Sequence, residues 1–196
     1  IFQTMNEPRV VGTAYEWNID TRNDDCMAAI DVVNDLNQAS LDAIRATGGR
    51  NSDRFVIISP YAGNHMAVML DRFHMPEDSV ENKLILSIHA YTPYNLCLNI
   101  RSDEADFGIS HLTEIKGFMK NVNYRYVQKG IPVIIDEMGI INKNNPETRY
   151  AWGKAYVAAA KEYGMVCCWW DNGEVHGSGE NFGLLDRRQL QVHPAC

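Results

Sequence analysis

Two glutamates stand where paired-carboxyl chemistry can be built. Glu7 follows the apolar run Ile1–Met5, and Glu137 follows Pro132–Asp136, so each closes a segment of strand length. One carboxyl kept protonated can donate to a leaving oxygen while a second, kept ionised, attacks carbon. Retaining glycoside hydrolysis needs such a pair ~5–5.5 Å apart. The two residues lie far apart in the sequence, so only the fold can bring them together. Each could equally be an ordinary loop carboxylate that caps a helix or pairs with Arg9 or Lys143, and spacing alone does not choose.

The elements around them are short and alternate in type. Ile1–Met5, Phe55–Ser59, Leu84–His89, Pro132–Asp136 and Val166–Trp170 have strand length and strand composition. Their apolar residues are nearly continuous, as expected where both faces of a sheet are covered. Between them, Asp24 to about Thr47 carries apolar residues at helical spacing and is stopped by Gly48-Gly49. Ser110 is placed to cap a helix running toward Gly130, and Asn145-Pro146 offers a cap and an N1 proline for Thr148–Tyr163. Gly63–Phe73 is a weaker helix candidate.

Alternating strands and helices imply parallel strands with right-handed crossovers, in a doubly wound sheet or a (β/α)8 barrel. No glycine-rich phosphate loop follows any strand. Polar residues instead gather where strands end: Asn6-Glu7, His89 with Tyr91, Glu137, and Trp170-Asp171-Asn172. Chemistry at the C-terminal ends of several strands is the barrel arrangement. A complete barrel takes ~250 residues, whereas the chain has 196. The expectation is therefore an incomplete TIM barrel, about strands four to eight, forming the C-terminal part of one catalytic domain over 1–196.

Composition narrows the partners. A formal net charge of −7 gives no basic face for nucleic acid. No apolar run approaches the ~18 residues that suggest a membrane span. Five cysteines, Cys26, Cys97, Cys167, Cys168 and Cys196, are too irregular for a disulfide framework. Cys167 and Cys168 read as small buried hydrophobes on opposite faces of a strand. The six histidines show no metal-binding spacing, so neither a metal nor another cofactor is expected.

Thr4-Met5-Asn6-Glu7-Pro8, with Ile135-Asp136-Glu137-Met138-Gly139 far downstream, resembles glycoside hydrolase family 5. His89-Ala90-Tyr91 is similar to that family's His-x-Tyr, and Trp169-Trp170-Asp171-Asn172-Gly173 to its last-strand tryptophan. Arg9, Glu16-Trp17 and Gly179-Glu180-Asn181-Phe182-Gly183-Leu184-Leu185-Asp186-Arg187 resemble subfamily 4.

The resemblance implies a retaining endo-β-1,4-glucanase, with Glu7 as acid/base and Glu137 as nucleophile. Asn6 would bond the sugar 2-hydroxyl, Tyr91 would hold Glu137 ionised and oriented, and His89 would face the site. Trp170 would lie under the sugar, although strand pattern alone does not choose between Trp169 and Trp170. Trp17 could line the product side or pack in the core, and Tyr61 is a weaker aromatic candidate. Asn172 is a candidate substrate contact, with Asp171 beside it, while Glu180 and Asp186 would order the last loop. The implied partner is a β-glucan polysaccharide, met outside the cell or at its surface by a protein that is monomeric at full length. A xyloglucanase, lichenase or mannanase is the near alternative, and an inactive glycan-binding fragment the distant one. The family's final helix looks truncated or replaced after Leu190. A five-strand piece alone should have little activity.

Overall fold

A computed structural model describes residues 1–177 and 179–192. Five strands, β1 (Phe2–Gln3), β2 (Val56–Ile58), β3 (Leu84–His89), β4 (Val133–Met138) and β5 (Val166–Trp169), form one sheet in the order β1-β2-β3-β4-β5. Spatial order follows chain order without reversal. A doubly wound sheet has a point where the order switches, so this sequential winding selects the barrel alternative. The pairing of β1 with β2 and of β2 with β3 is parallel, with Phe2 opposite Val56 and Val56 opposite Leu84.

Helices fill the crossovers: α1 (Asp24–Ala46), α2 (Ala67–Leu70), α3 (Tyr94–Cys97), α4 (Ile109–Arg125) and α5 (Pro146–Glu162). Asn23 caps α1 by accepting from the Cys26 amide, Asp24 and Asp25 sit at its positive end, and Gly48 leaves with φ 64°. Two capping expectations are corrected. Ser110 lies inside the first turn of α4, which already begins at Ile109. Asn145 precedes Pro146 as expected but makes no cap bond, because its amide donates to the Ala105 carbonyl and its Oδ1 accepts from the Lys143 amide. The Gly63–Phe73 candidate contracts to the single turn α2, preceded by a 3-10 turn at Tyr61–Gly63.

The chain divides into two compact units: Ile1–His89 with Tyr124–Ile134, and Ala90–Asn123 with the described part of Ile135–Cys196. In the first, α1 buries Cys26, Ile30, Val33 and Leu41, and the strands bury Val56, Ile58, Leu86 and Ile88. The second is organised around Trp152 and Tyr156 of α5, whose rings pack 4.8 Å apart. Their polar atoms reach the backbone beyond β3: Trp152 Nε1 donates to the Thr92 carbonyl, and the Tyr156 hydroxyl to that of Ala90. Burial pushes the Tyr156 phenol far up, so it remains a donor.

Two cysteines depart from expectation. Cys26 and Cys97 are buried, and burial raises the Cys97 thiol well above its ordinary value. Cys167 is only half-buried and Cys168 is exposed, however. The strand pleat does place them on opposite faces. Trp169 shares its face with Cys167 and packs edge-on against Trp152 of α5, 5.7 Å between ring centroids. Val166, Cys168 and Trp170 share the other face, and all three are exposed. After β5, β6 (Leu185–Asp186) pairs antiparallel with β7 (Gln191–Val192) in a short hairpin. Ser178 and residues 193–196, including Cys196, lie outside the described residues.

One buried ion pair secures the end of α1. Arg45 donates from Nε and NH2 to the two Asp78 oxygens, at 2.8 and 2.6 Å, and from NH1 to the carbonyls of Asn51 and Arg54. The Arg45 hydrogen bond holds the Asp78 carboxyl below its usual value of 3.8. This stabilisation is present above that value and is lost as pH falls through the depressed folded-state value. Asp78→Asn, which leaves a buried guanidinium without its counter-charge, should cost about 3 kcal/mol at pH 7. Urea unfolding checks this, and the deficit should shrink below pH 3.8.

Candidate active site

A polar network fixes the chain just before Asn6-Glu7. Thr4 donates to Oδ1 of the fully buried Asn37 at 2.7 Å, and Asn37 Nδ2 donates to the Ser59 carbonyl. The Ser59 hydroxyl donates to the Met5 carbonyl at 2.6 Å. The backbone beyond β1 is thereby clamped to α1 and to the end of β2, and the half-buried Glu7 side chain leaves from a fixed point. Its Oε1 lies 2.6 Å from His89 Nδ1 at the end of β3. Gly63 gives that imidazole its place: it has φ 61°, and a methyl group there would stand 2.9 Å from His89 Cγ.

Arg9 organises the loop beyond. Its NH1 donates to the Glu7 carbonyl and sits 3.8 Å from Glu7 Oε2, while Nε donates to Glu16 at 3.0 Å. The Gly12 amide and then the Arg9 side chain hold the Glu16 carboxyl below its usual range. The same guanidinium lies 3.9 Å from the ring centre of Trp17, which is 47% exposed. Trp17 is therefore a braced surface ring, and its core-packing alternative is excluded. The Tyr61 expectation is corrected. Tyr61 is fully buried, its hydroxyl accepting from the Val10 amide and donating to the Tyr15 carbonyl, so it pins this loop from beneath. Asn6 is exposed.

In the second unit, Glu137 stands near the end of β4, and the Tyr91 hydroxyl donates to its Oε2 at 2.7 Å. A hydrogen bond to the charged form of a carboxylate favours that form. The Ala90 amide donates to the Glu137 carbonyl at 2.9 Å, fixing the two segments in register. The Lys143 ammonium donates to the carbonyls of Asn95, Ser102 and Glu104 and ties down the loop after α3.

The two tryptophans take opposite sides of β5. Trp169 donates through Nε1 to the Phe182 carbonyl at 2.8 Å and faces α5. Trp170 projects on the other side and is 43% exposed, its amide donating to the Met138 carbonyl. Asn172 is engaged within its own loop, donating to the Glu180 carbonyl at 2.6 Å and accepting from the Glu174 amide. These bonds are loop bonds, which is also how Asp171 acts, through the amides of Gly173 and Leu184. Asp186 accepts from the amides of Arg188 and Gln189, an ordering contact of the kind expected for it.

Sequence reasoning missed Gly63, gave Phe182 no role, and offered Arg9 only as an ion-pair partner of an ordinary loop carboxylate. Gly63 carries no local signal, since the residue it makes room for comes from a different strand. Arg9 was visible in the motif, but its bridge from Glu7 to Trp17 requires the loop to fold back.

A sequence profile described as cellulase, glycosyl hydrolase family 5, matches residues 1–175. Among similar curated proteins, endoglucanase 1 of Ruminococcus albus is 38% identical over 97% of this chain and 45% of its own length. Endoglucanase B of Neocallimastix patriciarum is 39% identical over 98% of this chain and 39% of its own. Among solved structures, a variant of the glycoside hydrolase 5 lichenase of Caldicellulosiruptor sp. F32, in complex with cellotetraose, superposes with TM-score 0.94 at 38% identity. A GH5-4 broad specificity endoglucanase from Ruminococcus champanellensis with bound cellotriose gives 0.92 at 39%. Each of these two matches covers 99% of this chain and 54% of the other. The chain thus spans about half the length of the proteins it matches, and its fold is an incomplete (β/α)8 barrel.

Proposed function

Since the chain belongs to the cellulase family, glycosyl hydrolase family 5, we propose that it supplies both catalytic glutamates of a retaining endo-β-1,4-glucanase. The barrel is completed by βα units outside these residues. The observation that supports this reading most is the 2.7 Å bond from the Tyr91 hydroxyl to Glu137, a donor aimed at the carboxylate that would attack. In the first step Glu137 attacks the anomeric carbon, the glycosidic C–O bond breaks, and Glu7 passes its proton to the departing oxygen. In the second, Glu7 takes a proton from water, the oxygen of that water attacks the same carbon, and Glu137 leaves. Two inversions give net retention. Asn6 bonds the 2-hydroxyl, and Trp170 offers its exposed ring to the apolar face of the sugar. Trp17, braced by Arg9, offers a second aromatic surface.

The cello-oligosaccharides bound by two of the similar structures support a β-1,4-linked glucose chain as substrate. The lichenase among them favours a second reading, a mixed-linkage β-glucan. A polymer too large to enter a cell also supports a secreted protein. The test is product analysis with the complete barrel on carboxymethylcellulose, lichenan, xyloglucan and mannan, with the first-formed anomer followed by NMR. Release of β-anomers from the first two substrates is expected. First-formed α-anomers, or turnover of mannan alone, would overturn the reading. The chain without the remaining units should release little reducing sugar.

A further inference from the structure

The segment Gly179–Arg187 resembles a family motif, yet the mechanism above gives it no task. Its centre is Phe182, only 1% exposed although it belongs to a loop. The Phe182 ring packs on Tyr91, with centroids 5.2 Å apart and planes inclined by 46°. Tyr91 is the residue whose hydroxyl reaches Glu137. The order of contact is therefore Phe182, Tyr91, Glu137.

The surroundings are shaped to admit this ring. Gly139 lies two residues beyond Glu137, and a methyl group there would stand 2.9 Å from Phe182 Cδ1 and 3.6 Å from Tyr91 Cε1. Any larger residue would push Phe182 off the tyrosine. The backbone on either side is fixed as well. The Phe182 carbonyl accepts from Trp169 Nε1, and the Asn181 carbonyl accepts from the Asn142 amide in the loop after β4. The Gly183 amide donates to the Glu174 carbonyl, and an added methyl at Gly183 would meet Val175 Cγ1 at 2.7 Å. Arg149, itself 3% exposed, holds the carbonyls of Phe182 and Gly183 at 3.4 Å. So much anchoring for one loop phenyl ring is hard to account for by stability alone.

We propose that Phe182 is a positioning residue for the nucleophile, setting the tilt of the Tyr91 ring and through it the orientation of the Glu137 carboxylate. The inference rests on the reading of Glu137 as nucleophile. A tyrosine hydroxyl sits at the far end of a ring that pivots about its Cβ, so a small tilt moves the oxygen by a large fraction of an ångström. Removing the neighbouring ring leaves a cavity into which Tyr91 can lean. The hydroxyl then withdraws from Oε2, and the attacking oxygen loses its alignment with the anomeric carbon. Misplacement on the scale of 1 Å costs on the order of 100-fold in rate.

The test isolates the nucleophile's half of the reaction. A 2-deoxy-2-fluoro-β-cellobiosyl fluoride needs no proton for its leaving group, so its rate of covalent capture reports Glu137 and not Glu7. The complete barrel is labelled unmutated and as Phe182→Ala, Tyr91→Phe and the double variant, with the labelled residue located by mass spectrometry. Phe182→Ala should slow labelling at least about tenfold with unchanged affinity for the probe. In the Tyr91→Phe background the same substitution should change the rate less than about twofold, because the hydroxyl it acts through is already gone. Phe182→Leu, which fills more of the space, should recover part of the rate and stands in should the alanine variant fail to fold. Normal labelling in a folded Phe182→Ala or Phe182→Leu protein, or full additivity with Tyr91→Phe, would overturn the proposal. Failure of the unmutated barrel to be labelled at Glu137 would instead overturn the assignment of the nucleophile.

Discussion

Glu137→Ala in the complete barrel should lower kcat on carboxymethylcellulose on the order of 10⁴-fold while leaving KM nearly unchanged. The lost bond would exist only in the transition state and the covalent intermediate, so the ground-state binding proposed for the tryptophans and Asn6 should be untouched. Tyr91 keeps its place and loses only its acceptor. Azide supplies a second readout. A small anion occupying the space of the missing carboxylate attacks the anomeric carbon from the side Glu137 used, while Glu7 still protonates the leaving group. The product is then the α-glycosyl azide, formed with inversion. An alanine variant with substantial unaided activity would remove Glu137 from the mechanism, and so would rescue yielding the β-azide.

The fold was legible because the strands are marked twice, by apolar runs and by the polar residue that ends each. β3 matches its expected bounds of Leu84–His89. β1 shrinks to Phe2–Gln3: the Thr4 amide still donates to the Ile57 carbonyl, but the next carbonyl, that of Met5, is taken by the Ser59 hydroxyl. β4 runs on to Met138, past the expected Asp136, because the Ala90 and Trp170 amides still find the Glu137 and Met138 carbonyls. The cysteines of β5 misled for a different reason. Apolar content predicts the strand but not whether anything covers its faces, and only the Trp169 face has α5 upon it.

At the candidate site, the glutamates, His89 and Tyr91 were visible one by one, since such residues are conspicuous at strand ends. What sequence could not give was support at a distance. Gly63 beneath His89, Gly139 beside Phe182 and Arg9 between Glu7 and Trp17 all act through neighbours from other elements. Tyr61 erred in the opposite direction. An aromatic residue just after a strand looks like a sugar platform, yet its hydroxyl has two backbone partners and its ring no exposure.

Glu7→Ala separates the two steps in a way that no purely structural glutamate would. On an unactivated glucan both the proton donor and the base are lost, and hydrolysis should fall by about 10³-fold. On a dinitrophenyl β-cellobioside the leaving phenolate needs no proton, so Glu137 should still form the covalent intermediate at close to the normal rate. Water without a base then attacks slowly. The expected trace is a rapid burst of phenolate equal to the enzyme concentration, followed by a slow steady state. Azide needs no deprotonation and should accelerate the second phase, here giving the β-glycosyl azide by two inversions. The opposite stereochemistry of azide products in the two alanine variants assigns each glutamate to its own face of the sugar. His89 gives an internal control. Its Nδ1 meets Glu7 at 2.6 Å, so His89→Ala should depress hydrolysis of the natural polymer far more than the burst on the activated substrate. Equal losses on both substrates for Glu7→Ala would mean that this carboxyl moves no proton, and the assignment of acid and base would fall.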